Sequence, residues 1–208
     1  MSISDILTFT GIAFSVLFPL INPIGGVPAF SGLTAHDTPD FRKQQARKIS
    51  VNVFIILITF LLIGKLLLEL FGISLGVLEI AGGLIVANTG WQMVNSKADD
   101  EKQNASKVEN VDISFMPMAM PILSGPGAIG AVIGMSTNAK HAEDYIGFVI
   151  GIFLIGLVTY LFLILSIPLM KKLGSKGINV LTRMMGFFIL AIAVNLVYKG
   201  IISLSKIS

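Results

Sequence analysis

Two proline-rich breaks carry the chemistry available to this chain. Pro19, Pro23 and Pro28 lie in FPLINPIGGVPAF (Phe18 to Phe30), and Pro117, Pro121 and Pro126 repeat their spacing in MPMAMPILSGPGAI (Met116 to Ile129). Proline removes a backbone donor and clashes with the preceding turn, so a helix bends or breaks there. Within a bilayer such a break is tolerated only against protein or a water-filled cavity. A helix that restarts after the break presents unpaired N–H groups and a partial positive charge, which suits an anionic group. Glycine admits a ligand close to the backbone, and both breaks carry it. The candidate substrate-binding residues are therefore Asn22, Gly25, Gly26, Ser124, Gly125 and Gly127. The expected second halves start after Gly25-Gly26 and after Ser124-Gly125. The chemistry is recognition of a small solute with an anionic group, most simply an amino-acid carboxylate. The competing reading is structural, since prolines and glycines also shape kinks and close packing in membrane helices.

Glu79 and Arg183 are the notable charges inside apolar stretches, and charge at that depth is functional or paired. Glu79 is a candidate proton-coupling carboxylate or a partner for helix ends near the outer face. Arg183 is a coupling or structural charge that snorkels towards the cytoplasm. Both lie early in spans that start on opposite faces, so a direct ion pair between them requires tilt or long reach. Asn52, Asn88, Thr89 and Asn195 are single polar positions in apolar helices, expected to bond between helices. Gly147-x-x-x-Gly151 reads as helix packing, within one chain or between copies, so a homo-oligomer is compatible with it.

No nucleophile–base pair, metal-ligand spacing or phosphate loop is visible, so no enzymatic activity, metal or cofactor is expected. His36 and His141 fall in expected loops, and cysteine is absent, which excludes a disulfide framework or a thiolate site. A net charge of +3 does not point to nucleic acid, because the basic residues cluster in loops.

The elements that must position these breaks are membrane spans. The chain is 54% hydrophobic and 13% charged, with a mean hydropathy of +0.85. Its apolar runs suit a hydrocarbon core about 30 Å thick. The first run lacks the basic n-region of a signal peptide. Six spans are expected, near Ile6–Thr34, Ile49–Phe71, Leu75–Val94, Phe115–Ser136, Tyr145–Met170 and Ile178–Ile202, the first and fourth broken. A polar linker, expected to be solvated and flexible, divides the chain into three-helix repeats at 1–95 and 114–208, with the linker at 96–113.

Arg42, Lys43, Arg47, Lys48, the linker lysines, Lys171, Lys172 and Lys176 share one side, against Lys65, Lys140, Lys199 and Lys206 on the other. Positive loops stay cytoplasmic, so both termini are expected outside. Trp91 near the inner end of span three, and Tyr145 and Tyr198 near the outer face, agree. An odd number of spans per half makes the fold class an all-α membrane protein with a 3+3 inverted repeat. Paired breaks in such halves point to a transporter's substrate site.

The chain resembles the MarC family of bacterial inner-membrane proteins over nearly its whole length. The resemblance rests on Asn22-Pro23-Ile24-Gly25 with Pro28, FGISLGVLEIAGGLIVA (Phe71 to Ala87), PMAMPILSGPGAIG (Pro117 to Gly130) and GINVLTRMMGFFILA (Gly177 to Ala191). The family is also grouped as six-span neutral amino-acid transporters. The resemblance thus implies an inner-membrane location and transport of small neutral amino acids such as glycine and alanine. Direction, ion coupling and substrate stay open. A non-transporting role in assembly or stress response, efflux of another solute, and a channel are the competing readings.

Overall fold

Asn22 interrupts the first apolar run by adopting a left-handed conformation, φ 48° and ψ 64°. Asparagine visits this region more readily than other non-glycine residues. The computed structural model describes residues 3–95 and 111–205. Helix α1 (Ile3–Ile21) ends at this turn and α2 (Pro23–Leu33) starts immediately after it. The break therefore precedes Gly25-Gly26, which lie in the first turn of α2. Proline at a first helical position costs nothing, because its missing N–H would be unpaired there. The Asn22 side chain accepts a hydrogen bond from the Gly25 N–H at 3.1 Å, capping α2.

Helix α3 (Pro39–Phe71) is capped by the Thr38 hydroxyl, which accepts from the Phe41 N–H, and it stops at Gly72, φ 63°. Helix α4 (Leu75–Asn95) follows directly. After the part of the linker that lies outside the described residues comes an irregularly wound segment, Ser114–Leu123, in which Met116 and Met120 leave helical geometry. It meets α5 (Pro126–Asn138) at a 70° bend. Helix α6 (Ala142–Ile164) begins where the Asp144 carboxylate accepts from the Lys140 and His141 N–H groups. Helix α7 (Ser166–Ser205) is interrupted at Gly174, φ 62°. The fifth apolar run thus turns at Leu165, earlier than Met170, and the last long helical stretch is Lys176–Ser205.

All described regular elements are helical. Among the described residues, four helical stretches are long and apolar enough to cross a membrane, in α1, α3, α6 and Lys176–Ser205, or five if the bent pair around Ser124 is one span. The 21-residue α4 is less apolar, since it carries Glu79, Asn88 and Gln92.

Packing divides the molecule in two. One large core joins α1, α2, α3, the wound segment, α5 and α6 around Leu17, Phe30, Ile49, Leu61, Leu123 and Ile152. Beside it, α4 and α7 form the most extensive pair, with a smaller core of Val86, Ile189 and Ala193. Helices α2 and α5 bridge the two parts, α2 touching α7 and α5 touching α4.

Close contacts reveal the helix directions. Gly76 meets Gly200, Gly83 meets Ala193 and Gly90 meets Gly186, so α4 and α7 run antiparallel. Their small residues recur every seven positions on both helices. A methyl group at Gly90 would stand 2.9 Å from the Gly186 carbonyl oxygen, so the backbones touch. Gly147 and Gly151 of α6 face Phe9 and Ala13 of α1, so these two run parallel. Phe54 packs on Phe153 while Gly156 lies against Ser50, so α3 and α6 run antiparallel. Gln45 reaches Ile113 and Gly64 faces Ile133, so α3 runs parallel to the wound segment and α5.

The proline match is not a structural match. Pro126, not Pro121, occupies the first position of its helix as Pro23 does. Pro117 and Pro121 belong to the wound segment, whereas Pro19 lies inside α1 and Pro28 inside α2.

Candidate functional site

Asn22 is held in place by its own backbone turn and by capping α2. Because its carbonyl oxygen Oδ1 takes the Gly25 N–H, its amide Nδ2 must point elsewhere, and it donates only to the Met93 thioether at 3.6 Å. A thioether is a weak acceptor, so this donor is available to a better one. Around it lies a cavity of about 280 Å³ lined by Asn22, Gly25 and Gly26 of the break, Thr89, Gln92 and Met93 of α4, and Thr182 and Ile189 of α7. Leu20, Ile21 and Ile122 complete its apolar wall.

The cavity sits where the α4–α7 pair meets the larger core. Thr89 and Gln92 are three residues apart and so share one face of α4. The Thr89 hydroxyl donates to Ile85 carbonyl, which leaves its lone pairs free to accept. Thr182 is 9% exposed and its hydroxyl has no partner among the described residues. A buried hydroxyl left unpaired is costly, and here it borders the cavity. Among the described residues no ionisable side chain lines it. The arrangement therefore offers an amide donor, the positive end of α2, and hydroxyl and amide acceptors, without net charge.

The second break is built differently. Ser124 is fully buried with its hydroxyl unpartnered among the described residues, and Gly125 precedes α5 without a side-chain cap. Gly127 lies against Val86 of α4 and, at 3.8 Å for an added methyl group, against Leu20. Leu123 packs beside Gly26, 3.0 Å from where a methyl group would sit. Thus Asn22, Gly25 and Gly26 come together on the cavity wall. Ser124, Gly125 and Gly127 lie next to this region but outside the lining, and of the second break only Ile122 reaches it.

Glu79 and Arg183 stand at opposite ends of the α4–α7 pair. Glu79 lies within electrostatic reach of Lys199. Arg183 is exposed, one turn before Gly186, which touches Met93. Neither lines the cavity. Gln92 and Thr182 escaped sequence reasoning. Their signal was a polar residue beside an expected helix end, which also describes ordinary interfacial positions.

The match to known proteins covers nearly the whole chain. The family profile described as MarC family integral membrane protein matches residues 7–205. The inner membrane protein MarC of Citrobacter koseri is 34% identical over 97% of this chain and 98% of its own length. The membrane protein YvbG of Bacillus subtilis (strain 168) is 35% identical over 90% of this chain and 92% of its own. A membrane protein of the archaeon Pyrococcus abyssi is 34% identical over 95% and 96%. No solved structure matches the chain. With a family profile spanning both helix breaks and relatives in bacterial inner membranes, this chain belongs to the MarC family of integral membrane proteins.

Proposed function

We propose that this protein is a secondary transporter of small neutral amino acids, with the cavity at Asn22 as its substrate site. The observation that carries this reading is the cavity's chemistry: polar groups of both signs, a helix N-terminus and no ionisable side chain in its lining. A solute with net charge would find no counter-ion there. A zwitterion would place its carboxylate at the Asn22 amide and the start of α2, and its ammonium at Thr89, Gln92 and Thr182. Ligand pockets commonly span roughly 300–1,000 Å³, so a volume near the lower limit favours a solute of alanine's size.

The same reading takes the chain as six spans in a 3+3 inverted repeat, with both termini outside. The antiparallel register of α4 and α7 supports it, because a parallel repeat would make equivalent helices run the same way. The pairing of contacts supports it too. Exchanging the halves turns the α2–α7 contact into α5–α4, and α3–α5 into α6–α2, and each exists. In this topology the cavity, at the start of α2 and the end of α4, lies towards the cytoplasmic end of α4. The α4–α7 pair rocks against the larger core, with α2 and α5 as the linkage.

The test is uptake of labelled alanine and glycine into proteoliposomes, with and without an imposed proton gradient. Uptake above empty liposomes that is lost in Gly26→Leu, with that variant still folded, is the expected result. Absence of uptake under either condition contradicts the reading.

A further inference from the structure

A groove larger than the candidate site lies elsewhere in the protein. It has a volume of about 510 Å³ and lies between α3 and α6, lined by Arg47, Ser50, Val51, Phe54, Phe153, Gly156, Leu157 and Tyr160. Its wall is mostly apolar, with Arg47, Ser50 and Tyr160 as its polar members. Val51, Phe153 and Leu157 are 48%, 57% and 45% exposed, so the groove faces outward from the bundle, as an intramembrane surface faces acyl chains.

Arg47 belongs to the basic cluster Arg42, Lys43, Arg47 and Lys48, of which Arg42 and Lys48 are occupied. Arg42 donates to the Thr34 hydroxyl and to the Thr34 and Asp37 carbonyl oxygens. Lys48 pairs with Asp112 at 2.7 Å. Among the described residues no carboxylate and no hydrogen-bond acceptor holds Arg47. Its guanidinium is a planar fork suited to phosphate oxygens, and the apolar trough continues from it along two spans. Gly156 lies against α3, where an added methyl group would reach ordinary contact with Ser50 and Phe54.

We infer that the groove between α3 and α6 binds an anionic phospholipid, its phosphate at Arg47 and an acyl chain along Phe54, Phe153 and Leu157. Charge complementarity selects this occupant over a zwitterionic lipid. Native mass spectrometry of the full-length protein, with phosphatidylglycerol and phosphatidylcholine as probes, tests it. Phosphatidylglycerol is expected to be retained about fivefold better, the ratio that roughly 1 kcal/mol per basic residue at an anionic surface supplies. Arg47→Gln should abolish the preference, Arg47→Lys should keep most of it, and Leu157→Trp should lower retention by filling the trough. Equal retention of both lipids, or a preference unchanged in Arg47→Gln, overturns the inference. So does a second copy of the chain occupying this face, detected as a dimer cross-linked through Phe153→Cys.

Discussion

The two helix breaks have the same ingredients and opposite surroundings. At the first, Asn22 in a left-handed turn caps α2 and leaves its amide beside a cavity. At the second, Ser124 is sealed, and Gly127 is pressed onto Val86. Each break packs on the residue that precedes the other, Leu123 against Gly26 and Leu20 against Gly127. The difference teaches that matched breaks need not be in matched states. Under the proposed function, one open and one sealed break is the asymmetry that alternating access between inverted halves would require, and exchanging the two surroundings would open the other face.

The largest effect is expected where backbones touch behind both breaks. Gly90→Leu forces α4 away from the Gly186 carbonyl and should cost about 1–3 kcal/mol or more, measured as loss of the folded peak in detergent chromatography. Gly130→Ala, with open space around it, should not. Next comes the turn itself. Asn22→Ala loses the cap, worth about 1 kcal/mol, and adds roughly 1–2 kcal/mol of left-handed strain. Asn22→Gly removes the amide but tolerates the turn, so it should fold while losing alanine uptake. Thermal unfolding beside uptake separates the two.

A finer contrast uses the two unpartnered hydroxyls. Thr182→Val should leave stability unchanged or raised while weakening alanine binding about tenfold, the value of a hydrogen bond near 1.4 kcal/mol. Ser124→Ala should be equally stable and should leave alanine affinity intact in the state described here. Binding titrations on the purified variants would show it. The smallest effect concerns the anchor of the second break. Lys48 and the Ser114 N–H and hydroxyl hold the Asp112 carboxyl well below the ordinary carboxylate range. Its contribution is present above about pH 4, where the unfolded carboxyl is ionised, and fades as pH falls through the depressed folded value. Because the pair is exposed, Asp112→Asn should cost under about 1 kcal/mol at neutral pH, read from the unfolding midpoint.

Some of this was legible in the residues and some was not. Apolar length and loop charges fix a helical membrane protein, and proline with asparagine marks the first break. The restart expected after Ser124-Gly125 falls where α5 begins, at Pro126, whereas the first restart comes at Pro23, before Gly25-Gly26 rather than after it. Gly76, Gly83 and Gly90, with Gly186, Ala193 and Gly200, repeat at a heptad spacing visible in the sequence. Their meaning depends on a partner helix more than 80 positions away. The signal at Thr182 was not specific, because a threonine next to an arginine at a span end has the composition of any interfacial turn. Its place beside the cavity comes from the antiparallel pairing of α4 and α7.

The most direct test labels cysteines from each side of the membrane, in a chain that has none of its own. Thr182→Cys and Ser124→Cys would be exposed to a membrane-impermeant maleimide in oriented vesicles, with and without alanine. The account predicts that Thr182→Cys reacts from the cytoplasmic side and is protected by alanine, whereas Ser124→Cys reacts only from the opposite side. Equal labelling of both positions from one side, or rates that alanine leaves unchanged, would contradict a single site opened alternately to the two faces.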